Sequence, residues 1–379
     1  MINQKTTTPE PLDLFAKRNN LTPRSDWKQK ELLFESPPPR RPRSAKSRPS
    51  TLRKLKPTIV FDTYWRFAAE RQEIFLRRAM GKSFPWTDDR ILREYRFTNV
   101  YRASDRVSQY LIRHVIYNGD QSPTEVFFRT LLFKFFNKID TWELLVRHFG
   151  LPNSADFNVE QYSRVLSCEI ESGKAIYSAA YIMPSGPKSS HHGRKHHFHL
   201  SLLSQMLNDG LPDRIVDAKT LQRTYDSLLA CPSIGPFLAY QFTIDLNYSE
   251  ILQADEMEFV VPGPGALDGI SKCFAAACDF SPADIIRMVT EQQSEEFDRL
   301  GLAFRSLWGR SLQLIDCQNI FCEISKYARV RHPEVEGVAN RTRIKQKYRP
   351  TDAPVKYWFP PKWNLNHRIE AGACIDGRT

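Results

Sequence analysis

The chain is expected to fold as an all-α protein. Apolar residues recur at helical spacing from about residue 60 onward, capping residues and glycines bracket those stretches, and strands do not alternate with helices. With 379 residues, 41% apolar and 12% aromatic, a sizeable core can form.

Asp62 is placed to cap a helix over 63–80, stopped by Gly81. A short helix is expected over 87–95 and another over 102–117. Ser122-Pro123, with Glu125 behind, opens a helix in which Phe127, Phe128, Leu131, Leu132, Phe135 and Phe136 form a wide apolar stripe. Asp140 and Gly150 bracket 142–149, and Asn158 and Gly173 bracket 159–172. Further helices are expected over 197–209, 219–230, 236–247, 265–278, 282–306 and 311–328. Lys174–Met183 reads as a strand pair or an extended crossover. The Gly/Pro/Ser/His-rich 184–195 suggests sub-lobes over 59–185 and 195–330 within a domain of 59–365, with 366–379 a flexible tail.

The excess of positive charge, +11 in all, is concentrated. Arg40, Arg41, Arg43, Lys46, Arg48, Arg53, Lys54 and Lys56 lie in an acid-free, Pro/Ser-rich stretch. Such a composition cannot bury enough apolar surface to fold, so residues 1–58 are expected to be a disordered basic arm. It reads as a nucleic-acid tether, a nuclear import signal or a solvated linker. Near the other end Arg341, Arg343, Lys345, Lys347 and Arg349 alternate with other residues. Period two sets all five on one side of an extended segment, an arrangement suited to a phosphate backbone. No run of about 18 apolar residues suggests a membrane span, and the first fifteen residues lack the apolar region of a secretory signal. An odd count of seven cysteines fits reduced thiols. The chain is therefore expected inside the cell, in the nucleus if eukaryotic and otherwise in the cytoplasm.

The stretch from Leu228 to Ala239 runs an apolar helix end through Cys231-Pro232-Ser233-Ile234-Gly235 directly into a second helix. It resembles the helix-hairpin-helix of a large superfamily of DNA glycosylases, in which turn amides hold a DNA phosphate without reading sequence. Ser233 replaces the usual first glycine. Phe237 stands where bifunctional glycosylases carry their lysine, so Schiff-base chemistry there has no support. Asp255 lies twenty residues past Gly235, where such enzymes place a catalytic aspartate. Beyond it, Pro262-Gly263-Pro264-Gly265 forms a stiff loop feeding a helix, a natural anion site through Gly263 and Gly265. Asp255, Glu258 and Asp268 around this loop could serve as acid–base groups or hold a divalent metal; no cofactor is otherwise expected. His191, His192, His196, His197 and His199 lack a completing ligand set. His196 and His199 read better as contacts to DNA phosphate. Arg102, Asp105 and Arg106 share a helical face, and the arginines interleaved with aromatics from Tyr64 to Arg106 suit stacking on an extruded base. Gly81-Lys82-Ser83 is not a nucleotide-phosphate loop, because Leu76 stands where its first glycine belongs.

The blocks RFTNVYRASDRVSQYLI, AYIM, HHFHLSLL, SLLACPSIGPFLAYQFTIDLNYS, EMEFVVPGPGALDGISKCF and DCQNIFCEISKYAR occur in an order that resembles the alpha-glutamyl/putrescinyl thymine pyrophosphorylase family, whose core is also described as the 5-hmdU DNA kinase helical domain. The resemblance covers roughly 60–365. It implies a helix-hairpin-helix, glycosylase-like bundle that modifies a flipped thymine derivative. A separate P-loop kinase pyrophosphorylates 5-hydroxymethyluracil in DNA, and an amine then displaces pyrophosphate. In that picture Ser233, Ile234 and Gly235 hold the backbone, Gly263, Gly265, Arg102 and Arg106 cradle phosphate, and Asp255 acts as base. The rivals are a glycosylase excising a modified base and a non-catalytic DNA-binding module.

Overall fold

The computed structural model describes residues 54–186, 194–275, 280–351 and 356–370. The chain divides into Met1–Pro42 and Arg43–Thr379, and every described residue belongs to the second unit. That unit is all-α. Among the described residues β pairing is limited to isolated bridges, Pro57 with Phe274, Tyr95 with Lys347 and Leu307 with Arg310.

Helix α1 (Ile59–Ala79) begins four residues before its expected start. Thr58, not Asp62, is the cap: its hydroxyl accepts from the Val60 amide and donates to the Lys272 carbonyl. Asp62 sits inside the first turn and pairs with Arg299. The end of the expected arm is packed rather than loose. Leu55 is fully buried, and the Ala275 and Thr58 amides exchange hydrogen bonds across this edge with Lys56 and Cys273. Residues 1–53 of that expectation lie outside the described residues.

After α2 (Arg90–Glu94), the single helix expected over 102–117 is three pieces. They are a 3₁₀ turn at Arg102–Ser104, α3 (Arg106–Tyr110) and a π-helical segment at Leu111–Ile116. Helix α4 (Pro123–Phe136) buries the expected phenylalanine stripe completely. Helix α5 (Ile139–Phe149) stops at the expected Gly150, but Lys138 precedes it and Asp140 lies inside its first turn; α6 (Val159–Glu171) starts on the expected Asn158 cap, and α7 (Lys195–Asn208) starts two residues before its expected start. Lys174–Met183 forms no strand pair. It is an irregular connection with bends at Tyr177 and over 179–181, held by the Thr141 hydroxyl on the Ile176 carbonyl and by the Ser178 amide on the Phe136 carbonyl.

Sequence reading missed α8 (Leu211–Ala218), whose Pro212 looks like a breaker but sits in the first turn, where no amide is needed. Helices α9 (Leu221–Leu229) and α10 (Pro236–Leu246) form a tight hairpin. Helix α11 (Pro264–Cys273) crosses α14 (Leu314–Arg331) at backbone contact: a Cβ on Gly269 would lie 2.0 Å from the Phe321 carbonyl oxygen. The helix expected over 282–306 is α12 (Pro282–Glu291) and α13 (Gln293–Arg299), ending before Gly301 at φ +63°. The expected tail begins as α15 (Asn366–Glu370) instead, because the Asn366 amide bonds both backbone groups of Phe359.

Candidate functional site

At the centre of the bundle lies a charge network that few of the expected residues join. Asp245 on α10 is wholly buried, with Arg102 Nη1 at 2.8 Å and Lys134 Nζ at 3.1 Å. Arg102 also donates to Gln241 Oε1 (3.2 Å) and to the Tyr248 hydroxyl (2.9 Å). Burial alone would lower its pKa; the Asp245 carboxylate and its other neighbours hold it above its ordinary value. Lys134 donates to Asn137 and lies 4.6 Å above the Tyr181 ring.

The backbone amide of Arg102 extends the network to Asp316, whose carboxyl burial pushes up to about 7. On the far side Arg310 pairs with buried Glu256 at 2.6 Å and stacks on Trp363 at 3.8 Å. Lys362 donates to the Ser249 and Leu252 carbonyls, and burial brings it down to about 8.

Gln241 shapes the outer edge of this network. Its carbonyl oxygen accepts from both Arg102 and Tyr181, which fixes the amide orientation and leaves the NH₂ without a partner among the described residues. Half-buried Tyr181 and Phe237 meet edge to face at 5.6 Å beside it. Gly263 is needed by this aromatic pair, since a Cβ there would press on the Phe237 ring at 3.1 Å.

Several expected site residues are exposed in local turns or already engaged by partners within the fold. Asp255 is exposed and forms no ion pair among the described residues; its carboxylate accepts from the Met257 amide in a local turn. It does not face a cationic cavity. Glu258 is also exposed, and its carbonyl, not its carboxylate, binds Arg287. Asp268 is buried and saturated by the Ser325 hydroxyl, the Ala339 amide and Lys272, which together outweigh burial and hold its pKa low. Gly265 packs on Cys322, where a Cβ would come within 3.0 Å of Sγ, so the Gly263–Gly265 loop is filled by protein rather than open to an anion. His196 bonds Ser163 and Ser167 between α6 and α7. His199 is buried, bridges the Tyr177 hydroxyl and the Pro184 carbonyl, and burial lowers it to about 4. His191 and His192 lie outside the described residues. Among the described residues no group of three His, Cys, Asp or Glu is arranged to hold a metal.

The exposed elements are the hairpin turn and the basic segment. Ser233 takes a left-handed backbone (φ +62°), Ile234 is buried as an anchor, and Gly235 is exposed with nothing within 4 Å of a Cβ position. Arg341, Arg343 and Lys345 are all exposed in an extended stretch, with half-buried Ile344 and Tyr348 on the other side, as period two requires. Arg106 is exposed at the start of α3, and Asp105 beside it caps the Asn99 amide instead of pairing with arginine. Gly81-Lys82-Ser83 closes α1 rather than opening a helix, since the Gly81 amide donates back to Arg78. The network residues Lys134, Gln241 and Asp245 were missed, although a lysine and an aspartate inside FFRTLLFKFF and FTIDL are visible as polar groups in otherwise apolar helices.

These features define an all-helical domain with an internal ion network and exposed basic surface. The family described as 5-hmdU DNA kinase, helical domain, matches residues 58–337, and the chain belongs to that family. It is 28% identical over 286 residues to a protein named 5-hmdU DNA kinase from Bacillus phage SP10. The match covers 71% of this chain and 45% of that relative, so the chain spans about half the length of the protein it resembles. No solved structure matches.

Proposed function

We propose that the domain recognises 5-hydroxymethyluracil in DNA and serves its modification, without supplying a nucleotide-phosphate loop for the phosphoryl donor. The family match over 58–337 carries this reading. The hairpin turn at Ser233–Gly235 meets a DNA phosphate through the Ser233 and Gly235 amides, since the Ile234 amide already donates to the Cys231 carbonyl. The Gln241 NH₂ is the donor for the hydroxymethyl oxygen that thymine lacks, with Tyr181 and Phe237 as the aromatic wall for a flipped base. The Arg102–Asp245–Lys134 network fixes Gln241 in place. A P-loop kinase, in another chain or another domain, is the proposed partner. Displacement of pyrophosphate by an amine stays a proposal resting on the pyrophosphorylase resemblance, with no base assigned now that Asp255 is exposed.

The test is binding of the chain to duplexes differing only in thymine or 5-hydroxymethyluracil at one position. Preference for the hydroxymethylated duplex, reduced about tenfold or more by Gln241→Leu, supports the reading; a bidentate or single base-edge contact is worth about 1–3 kcal/mol. Equal binding to both duplexes refutes it. Nucleoside mass spectrometry of DNA from cells with and without the gene reads the product.

A further inference from the structure

A second concave feature lies away from Gln241, between α1, α2 and the basic segment. It is a cleft of about 370 Å³ including its open mouth. Arg71, Arg78, Arg93, Trp86, Tyr95 and Tyr348 line it. Arg71 sits at the inner end, 8% exposed. Its Nη2 donates to Asn99 Oδ1 at 2.7 Å, but Nη1 is buried with no hydrogen-bond partner, and no carboxylate ion-pairs with it among the described residues. The Asp105 carboxylate acts on it through space but does not touch it, and a buried guanidinium with no contacting anion is costly.

Arg78 lies over the Trp86 face at 4.9 Å, and Arg93 is exposed at the mouth. The basic segment is registered against the same rim: the Arg96 amide donates to Gln346, the Tyr348 amide donates to Glu94, and Lys347 Nζ sits 4.1 Å above the Tyr95 ring. The carboxylate on this rim, Glu94, is already shared by Arg90 and Lys347. Cations and aromatic faces together suit a nucleotide whose phosphate and base stay near the mouth.

We propose that this cleft binds one nucleotide of single-stranded DNA, with its phosphate at the mouth on Arg93 and drawn toward the Arg71 guanidinium behind it, and the base against Tyr348, while the segment from Arg341 to Arg349 tracks the adjoining backbone. This rests on the functional reading above only in taking DNA as the partner.

The test uses the full chain with fluorescein-labelled dT 12-mers and abasic 12-mers of equal charge, read by fluorescence anisotropy at one salt concentration. The expected result is about fivefold or greater preference for dT, the size of one stacked base. Tyr348→Ala removes that preference. Arg93→Ala and Arg71→Met weaken binding to both oligonucleotides by about fivefold or more. Thermal unfolding of each variant is recorded, and exposed Arg93 keeps the test decisive if Arg71→Met fails to fold. Equal binding of dT and abasic oligonucleotides by the parent overturns the proposal, as does parent-like binding by both Arg93→Ala and Tyr348→Ala. A 12-mer carrying 5-hydroxymethyluracil separates the two readings: its preference over dT depends on Gln241 and is untouched by the cleft variants.

Discussion

Asp245→Asn removes the one carboxylate that, among the described residues, pairs with Arg102 and Lys134, and leaves two buried cations facing a neutral amide. Breaking a buried pair from one side costs about 3–5 kcal/mol. The lower end applies here, because Arg102 keeps Gln241 and Tyr248, and Lys134 keeps Asn137. An unfolding entropy of about 2.1 cal/mol/K per residue over roughly 300 folded residues gives about 0.6 kcal/mol/K, so about 3 kcal/mol lowers Tm by about 5 °C. Lys134→Met should behave differently. The network has two cations and one anion, so removing Lys134 leaves the Arg102–Asp245 pair balanced one to one. That variant is expected within about 1.5 kcal/mol of the parent, as for a volume-conserving core change. Thermal unfolding by circular dichroism reads both. Equal Tm losses for the two variants, or a loss under 1 °C for Asp245→Asn, would refute charge imbalance as the organising feature.

Other consequences are open to the same measurements. Gly269→Ala places a methyl against the Phe321 carbonyl and forces α11 from α14, so a loss of about 3 kcal/mol or more and low soluble yield are expected; parent-like Tm contradicts the backbone contact. Asp105 is pushed up to about 7, chiefly by burial, against an ordinary value near 3.9. A raised carboxyl binds its proton in the folded state, so its contribution is present below about pH 4 and is lost as pH rises through about 7. Asp105→Asn should therefore gain stability relative to the parent across that window, and a pH-independent difference would count against it. His199 acts with the opposite sign: lowered to about 4, it opposes folding as pH falls from about 6.5, which is why variant and parent must be compared at each pH. Replacing Arg341, Arg343 and Lys345 by Gln should lower the slope of log K against log salt by about 0.7 for each lost phosphate contact with single-stranded DNA; an unchanged slope places the backbone elsewhere.

Most of the fold was legible because it is local. Caps at Asn158, glycine stops at Gly150 and Gly173, and the stripe along α4 report their own neighbourhoods, and the helices follow them. Failures came where a distant contact decides. Thr58 caps α1 while its hydroxyl is held by Lys272, more than two hundred residues away. The π-helical Leu111–Ile116 keeps helical periodicity in sequence, so its altered turn carries no compositional mark. Pro212 was ambiguous because proline both breaks helices and starts them.

The site was less legible, and Asp255 shows why. Counting twenty residues from Gly235 locates a turn but not which of two adjacent carboxylates faces inward. Asp255 spends its carboxylate on the Met257 amide, while Glu256 turns into the protein to meet Arg310. The same logic separates the two glycine motifs. Gly235 has open space around it and an ordinary φ of −84°, so nothing inside the protein demands glycine there. Gly263, Gly265 and Gly269 each admit a neighbour that a methyl group would strike. A glycine that the fold does not need is free to let a ligand's backbone approach, and a glycine filled by Phe237, Cys322 or Phe321 is not. That difference favours the hairpin turn over the Pro262–Gly265 loop as the proposed anion contact, on the turn that begins the helix carrying Gln241.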